Sequence, residues 1–188
     1  MKGVVFNLLE ETVHRAHGPD VWDALIESAG VSGAYTSLGS YPDSEVEALI
    51  AAAMQALALD RNEVLRWFGQ SAVPVLAERY PAFFDGPASA REFTAGVNTI
   101  IHAEVRKLYP GAICPHFRLS DREDGRLVMD YLSIRRMCAL AQGLVEGAAA
   151  WYGEVVEIDH VACTQRGDPH CSFLIRWSPA PDRELAFA

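Results

Sequence analysis

The hydrophobic pattern of this chain first changes period at Pro110-Gly111, and neither an all-helical nor an all-strand fold accommodates both sides of that break. Before it, apolar residues recur at helical spacing. Val5, Phe6, Leu9 and Val13 form one stripe between Gly3 and His17, which Gly18-Pro19-Asp20 ends. Asp20 is placed to cap a short second helix through Val21, Trp22, Leu25 and Ile26, closed by Gly30. A third starts at Asp43 or Ser44 and carries Val46, Leu49, Ile50, Met54 and Leu57 on one side. A fourth runs from Asn62 to Tyr80, kinked near Pro74, whose missing amide removes a helical hydrogen bond. Ser89-Ala90-Arg91-Glu92 has the capping-box pattern and opens a fifth helix that Pro110-Gly111 must end.

Beyond the break the texture is alternation. Cys114 to Leu119, a polar turn through Gly125, and Leu127 to Ser133 read as a hairpin, followed by a helix carrying Met137, Leu140, Ala141, Leu144, Val145 and Ala148. Val155 to Cys163 and Cys171 to Trp177, joined by Gln165-Arg166-Gly167-Asp168, make a second hairpin. The expected class is α+β: an all-helical N-terminal lobe, then an α+β lobe with an antiparallel sheet, with a frayed tail over 178–188.

Composition narrows the function. Half of the 188 residues are hydrophobic, enough for a substantial core, and the net charge of -9 gives no driving force for binding a polyanion, so nucleic acid is not expected. No apolar run approaches the roughly 20 residues that span a bilayer. Glu10-Glu11 interrupts the N-terminus before a signal-peptide core could form, so no membrane association and a cytoplasmic location are expected. No phosphate-cradling glycine loop, nucleophile elbow or paired acidic motif is present, and the chain does not read as an enzyme.

Three constellations carry chemistry. Tyr131, Ser133 and Arg135 alternate, so an extended segment would turn a phenol, a hydroxyl and a guanidinium to one side, a set suited to a carboxylate; the same spacing fits an ordinary half-exposed strand. His102 falls beside the apolar stripe of the fifth helix, where a boundary histidine is common, although an imidazole on a helix is also what a haem iron takes as its proximal ligand. Cys138, His160, Cys163 and Cys171 form a Cys3His set fit for tetrahedral zinc, with His170 as a substitute for His160. Buried thiols beside a core histidine would give the same residues. His160 and Cys163 have opposite strand parity, so a strand end or bulge must bring them together.

Taken together, these pieces resemble the H-NOX family, the haem-nitric oxide/oxygen binding domains related to the sensor domain of soluble guanylate cyclase. The resemblance runs from Met1-Lys2-Gly3 to about Trp177, and its most specific part is Tyr131-x-Ser133-x-Arg135 following His102, with Pro115 between. It implies a single domain with haem b between a distal helical lobe (about 1–60) and a proximal α+β lobe (about 61–177). His102 would be the iron ligand, Tyr131, Ser133 and Arg135 would bind the haem propionates, and Pro115 would pack against the porphyrin and distort it. The Cys3His set resembles the zinc site of one bacterial subgroup. Oxygen-binding relatives place a tyrosine where this chain has Leu140, and the other distal positions, Val5, Leu9 and Leu144, are apolar too. The resemblance therefore implies a sensor of nitric oxide that also binds carbon monoxide and excludes oxygen. Loosening of the bond to His102 would signal to a separate histidine kinase or cyclic-di-GMP enzyme. A zinc-stabilised redox or interaction domain and a haem carrier are the rival readings.

Overall fold

The computed structural model describes residues 1–181. Helices α1 (Gly3–His17), α2 (Pro19–Ala29) and α3 (Asp43–Leu57) pack around Phe6, Trp22, Leu49 and Ile50, all buried. In α2 the proline takes the first turn and Asp20 lies inside the helix, so the cap expected of Asp20 is not made; Gly30, at φ 65°, closes the helix. Helix α4 (Arg61–Arg79) starts on a reciprocal capping box: Asp60 accepts from the amides of Asn62 and Glu63 at 2.8 and 2.9 Å, and Glu63 accepts from the Asp60 amide at 2.7 Å. A one-turn α5 (Pro81–Phe84), which the apolar spacing did not announce, turns the chain toward α6 (Ala90–Gly96). Ser89 caps α6, but Glu92 binds the Ala88 amide, so the box expected there is only half formed.

The fifth helix of the sequence reading is three pieces. Helix α6 passes into a π-helical turn over Val97–Ile101, and α7 (His102–Leu108) begins directly after it. Strands β1 (His116–Asp121), β2 (Leu127–Leu132), β3 (Glu154–Ala162) and β4 (Cys171–Pro179) form one antiparallel sheet in the order β1-β2-β4-β3. Strand β4 stays paired as far as Pro179, opposite Glu154, so the frayed tail does not begin at Ser178; residues 182–188 lie outside the described residues.

Helix α8 (Cys138–Trp151) packs between the sheet and α4. The crossing is tight for a steric reason. A Cβ on Gly143 would lie 2.1 Å from the Arg66 carbonyl oxygen, and one on Gly69 would lie 2.6 Å from that of Leu140. Helix α4 starts in the N-terminal core through Val64 and Leu65 and ends in a second core with Val73, Ala77 and Phe84, so it belongs to both lobes. Among the described residues no helix is long and apolar enough to cross a membrane.

Candidate functional site

A cavity of about 500 Å3 opens between α1, α4, the α6–α7 segment, the first two strands and α8. That volume is typical of cofactor sites, which run roughly 300–1,000 Å3. Its wall holds His102, Pro115, Tyr131, Ser133 and Arg135 together, as well as Val5, Leu140 and Leu144. Leu9 is the exception among the expected pocket residues. It lines an adjoining apolar cavity of about 70 Å3 among α1–α4 that shares Val5 and Leu140 with the larger one; residues four apart on a helix are rotated by about 40°, and α1 brings Val5 but not Leu9 to the larger space. Leu8, on α1 beside Val5, takes the place expected of Leu9, and Val73 and Leu76 join it from α4.

His102 is the first residue after the π turn, and its position is fixed from behind. Asn98, four residues earlier, holds both main-chain groups of Phe117 on β1: its amide nitrogen donates to the Phe117 carbonyl and its oxygen accepts from the Phe117 amide. The His102 ring then stacks on Phe117, centroids 5.8 Å apart and planes at 21°. Its Nδ1 is buried without a hydrogen-bond partner. Burial pushes the His102 pKa down to about 4, with the charge on Arg106 and nearby His116 adding to the shift and a hydrogen bond to the Pro115 backbone opposing it. A neutral imidazole with an unpartnered buried nitrogen on a cavity wall is ready to bind a metal. Asn98 was missed in the sequence; its signal was a lone carboxamide inside an apolar helical stripe.

The Tyr-x-Ser-x-Arg residues meet, though not as one strand face. Strand β2 stops at Leu132, and the chain turns before the Arg136 backbone enters the left-handed region at φ 51°. The turn brings Arg135 back: its amide donates to Ser133 Oγ at 3.2 Å, its Nε to Asp43 Oδ2 at 2.9 Å and its Nη1 to the Ile113 carbonyl at 2.8 Å. Asp43 also accepts from the Met1 ammonium at 2.6 Å; that contact first, then Arg135, holds its pKa below the usual carboxylate range. Burial raises the pKa of the Tyr131 phenol, which keeps it a neutral donor. The cavity wall holds three cationic side chains, Lys2, Arg79 and Arg135, besides the Met1 ammonium, and no carboxylate. A cavity that is apolar through most of its depth and cationic in places suits an amphiphile carrying carboxylates.

The second constellation is closed. One donor atom each from Cys138, His160, Cys163 and Cys171 lies within 4.8 Å of all the others. The sulfurs of Cys138 and Cys163 are 3.8 Å apart and those of Cys163 and Cys171 3.9 Å. The parity conflict is resolved by a register shift between His160 and Ala162, where β3 takes an extra residue against β4. His160 Nε2 is buried and unpartnered, while His170 turns away, its Nε2 3.4 Å from Asp130. Burial and the neighbouring thiols push Cys138 up to about 12. Burial opposes ionisation at Cys171 too, but hydrogen bonds from Thr164 outweigh it and hold that thiol below its ordinary value. Three thiols around an orphaned imidazole form a donor set for a soft divalent cation.

The haem-NO-binding family model matches residues 2–160. The chain belongs to the H-NOX family. Solved relatives agree with it over almost their whole length. An H-NOX protein from Shewanella oneidensis in the Fe(II)NO state is 32% identical, covers 95% of this chain and 99% of its own, and superposes with a TM-score of 0.87. The Fe(II)CO form of a Shewanella oneidensis H-NOX domain is also 32% identical, with the same coverage and a TM-score of 0.84. The unliganded Fe(II) H-NOX protein from K. algicida is 26% identical, covers 95% and 97% of the two chains, and has a TM-score of 0.82. The resemblance read from the motifs and the α+β class both hold. Membership makes this chain a haem-based gas-sensor domain, and the orphaned His102 nitrogen, the carboxylate-free wall and the cavity volume fit that group.

Proposed function

We propose that this H-NOX domain senses nitric oxide, takes carbon monoxide as a second ligand, excludes oxygen and passes its signal to a separate protein without catalysing a reaction itself. The carrying observation is the wall built by α1, α4 and α8. Val5, Leu8, Val73, Leu76, Leu140 and Leu144 line it, and none has a side-chain hydrogen-bond donor. Of the hydroxyls elsewhere on the lining, Thr94 donates to the Ala90 carbonyl at 2.7 Å, Tyr80 and Tyr109 pair at 3.3 Å, and Ser40 accepts from Lys2 at 2.8 Å.

Ferrous haem b would supply the chemistry that binds a diatomic gas. The chain's part follows from its own residues. His102, kept neutral by burial, would be the iron ligand, Tyr131, Ser133 and Arg135 would hold the propionates, and Pro115 would pack on the macrocycle. Release of His102 would free α7 at the π turn, a register that a helix keeps only while its neighbours hold it. The exposed Ile100 and Leu108 of the same segment give a partner something to read, a histidine kinase or cyclic-di-GMP enzyme in the family's bacterial branch.

Zinc is the second cofactor of this reading, one ion held by Cys138, His160, Cys163 and Cys171. It ties the start of α8 to the last hairpin. Absorption spectra of the ferrous protein under argon, oxygen, carbon monoxide and nitric oxide test the gas assignment. Stable complexes with nitric oxide and carbon monoxide and none with oxygen are expected. An oxygen complex that persists in air would make this an oxygen sensor, a colourless protein containing zinc would favour the interaction-domain reading, and rapid haem exchange would favour a carrier.

A further inference from the structure

We propose that Lys2 is a second propionate anchor of the haem cavity, its ammonium taking the carboxylate that Arg135 does not hold. The proposal rests on the haem reading above. A haem carries two propionates, yet Arg135 already shares its charge with Asp43 and is the single cation of the Tyr-x-Ser-x-Arg set. Of the three cationic side chains on the wall, Arg79 is paired with Glu11 as well. Lys2 is the third. Among the described residues it has no carboxylate partner: its ammonium donates to the Leu38 carbonyl at 3.2 Å and to Ser40 Oγ at 2.8 Å, both neutral acceptors. An ammonium has three donors, so one is left over, and its charge is uncompensated.

The placement of Lys2 is built by the backbone. Lys2 and Ser40 form an antiparallel bridge, and both line the cavity. The bridge is extended on both sides, by the Gly3 amide on the Gly39 carbonyl at 3.0 Å, the Val4 amide on that of Ser37 at 3.1 Å, and the Tyr41 amide on that of Met1 at 2.9 Å. The two segments come so close that a Cβ on Gly3 would lie 1.9 Å from the Thr36 carbonyl oxygen. Glycine at position 3 is thus the condition for Lys2 to sit at the cavity rather than in solvent. The ammonium is exposed, so its pairing with a propionate is screened by salt and worth less than that of the sheltered Arg135.

The experiment follows haem transfer from the holoprotein to excess apomyoglobin by absorption, for wild type, Lys2→Gln and Lys2→Arg. Lys2→Gln should release haem about two- to fivefold faster at low salt, the difference should close in high salt, and Lys2→Arg should behave as wild type. The same comparison with the dimethyl ester of haem, which has no propionate charge, should show no difference between Lys2→Gln and wild type. Equal rates with native haem at low salt would overturn the assignment. So would a difference that survives esterification, which would mean that the substitution only loosens the bridge to Ser40. A wild-type chain that takes up no haem would instead bring down the reading on which Lys2 depends.

Discussion

His102 and His160 share one property and differ in everything around it. Each keeps a buried ring nitrogen without a hydrogen-bond partner. Around His160 three thiols complete a donor set within 4.8 Å, small enough that a bare ion would satisfy it. Around His102 no second donor set closes, and the ring faces a cavity of about 500 Å3. An imidazole in the first setting suits a structural ion; one in the second needs a ligand that brings its own equatorial donors, as haem does. Helix α8 serves both, presenting Cys138 to the thiol cluster and Leu140 to the cavity two residues later.

The comparison can be broken most forcefully at the closed site. Wild type should copurify with zinc, and Cys171→Ser should lose it and be destabilised by several kcal/mol, because binding of a structural ion is folding free energy. His160→Ala should lose the ion and His170→Ala should keep it. Metal analysis of freshly purified reduced protein decides both, and zinc retained in His160→Ala would remove that residue from the set.

At the open site the largest effect is expected from Arg135→Ala. It removes one of the two cations on Asp43 and the one that would hold a propionate, and should weaken haem retention by about 3–5 kcal/mol, the range for breaking a buried ion pair. Haem content and dissociation rate measure it, and unchanged values would detach the Tyr-x-Ser-x-Arg turn from haem.

Leu140→Tyr gives the apolar wall a donor. A hydrogen bond to a charge-bearing gas ligand contributes about 1.5–3 kcal/mol, so oxygen affinity should rise tenfold or more. Spectra in air would show it; no gain would mean that position 140 does not face the bound gas.

Gly143→Ala tests whether the two sites share α8. The added methyl meets the Arg66 carbonyl, so the melting temperature should fall by the equivalent of about 1–3 kcal/mol, with zinc retained and the haem absorption shifted. The smallest effect is expected from Tyr109→Phe, which removes half of the Tyr80–Tyr109 phenol pair on the cavity lining. Its gas selectivity should match wild type, and a changed oxygen response would make the Tyr80–Tyr109 pair the source of a donor.

Much of this was legible in sequence where the signal is local. The break at Pro110-Gly111 separates helices from strands, and β3 needed the bulge that parity demanded between His160 and Cys163. The capping of α4 was offset by a residue because Asp60 precedes the first apolar residue of the stripe. The π turn before His102 left no mark, since apolar residues continue through it at helical spacing from Val97 to Ile101 and Val105. Leu9 was misplaced because apolar periodicity tells which face of α1 is buried and not which of two adjacent cavities that face meets.

The sequence by itself determined the element order, the family and the donor types, because spacing, caps and residue chemistry act over a few positions of the chain. Only the tertiary structure decided which donors meet. Cys138 reaches Cys163 across 25 residues and Arg135 reaches Asp43 across 92, and His102, stacked on Phe117 of β1, keeps a buried nitrogen without a partner. Those distances are set by packing, such as the Gly69–Gly143 crossing that brings α4 onto α8, and packing depends on side chains that no local window contains together.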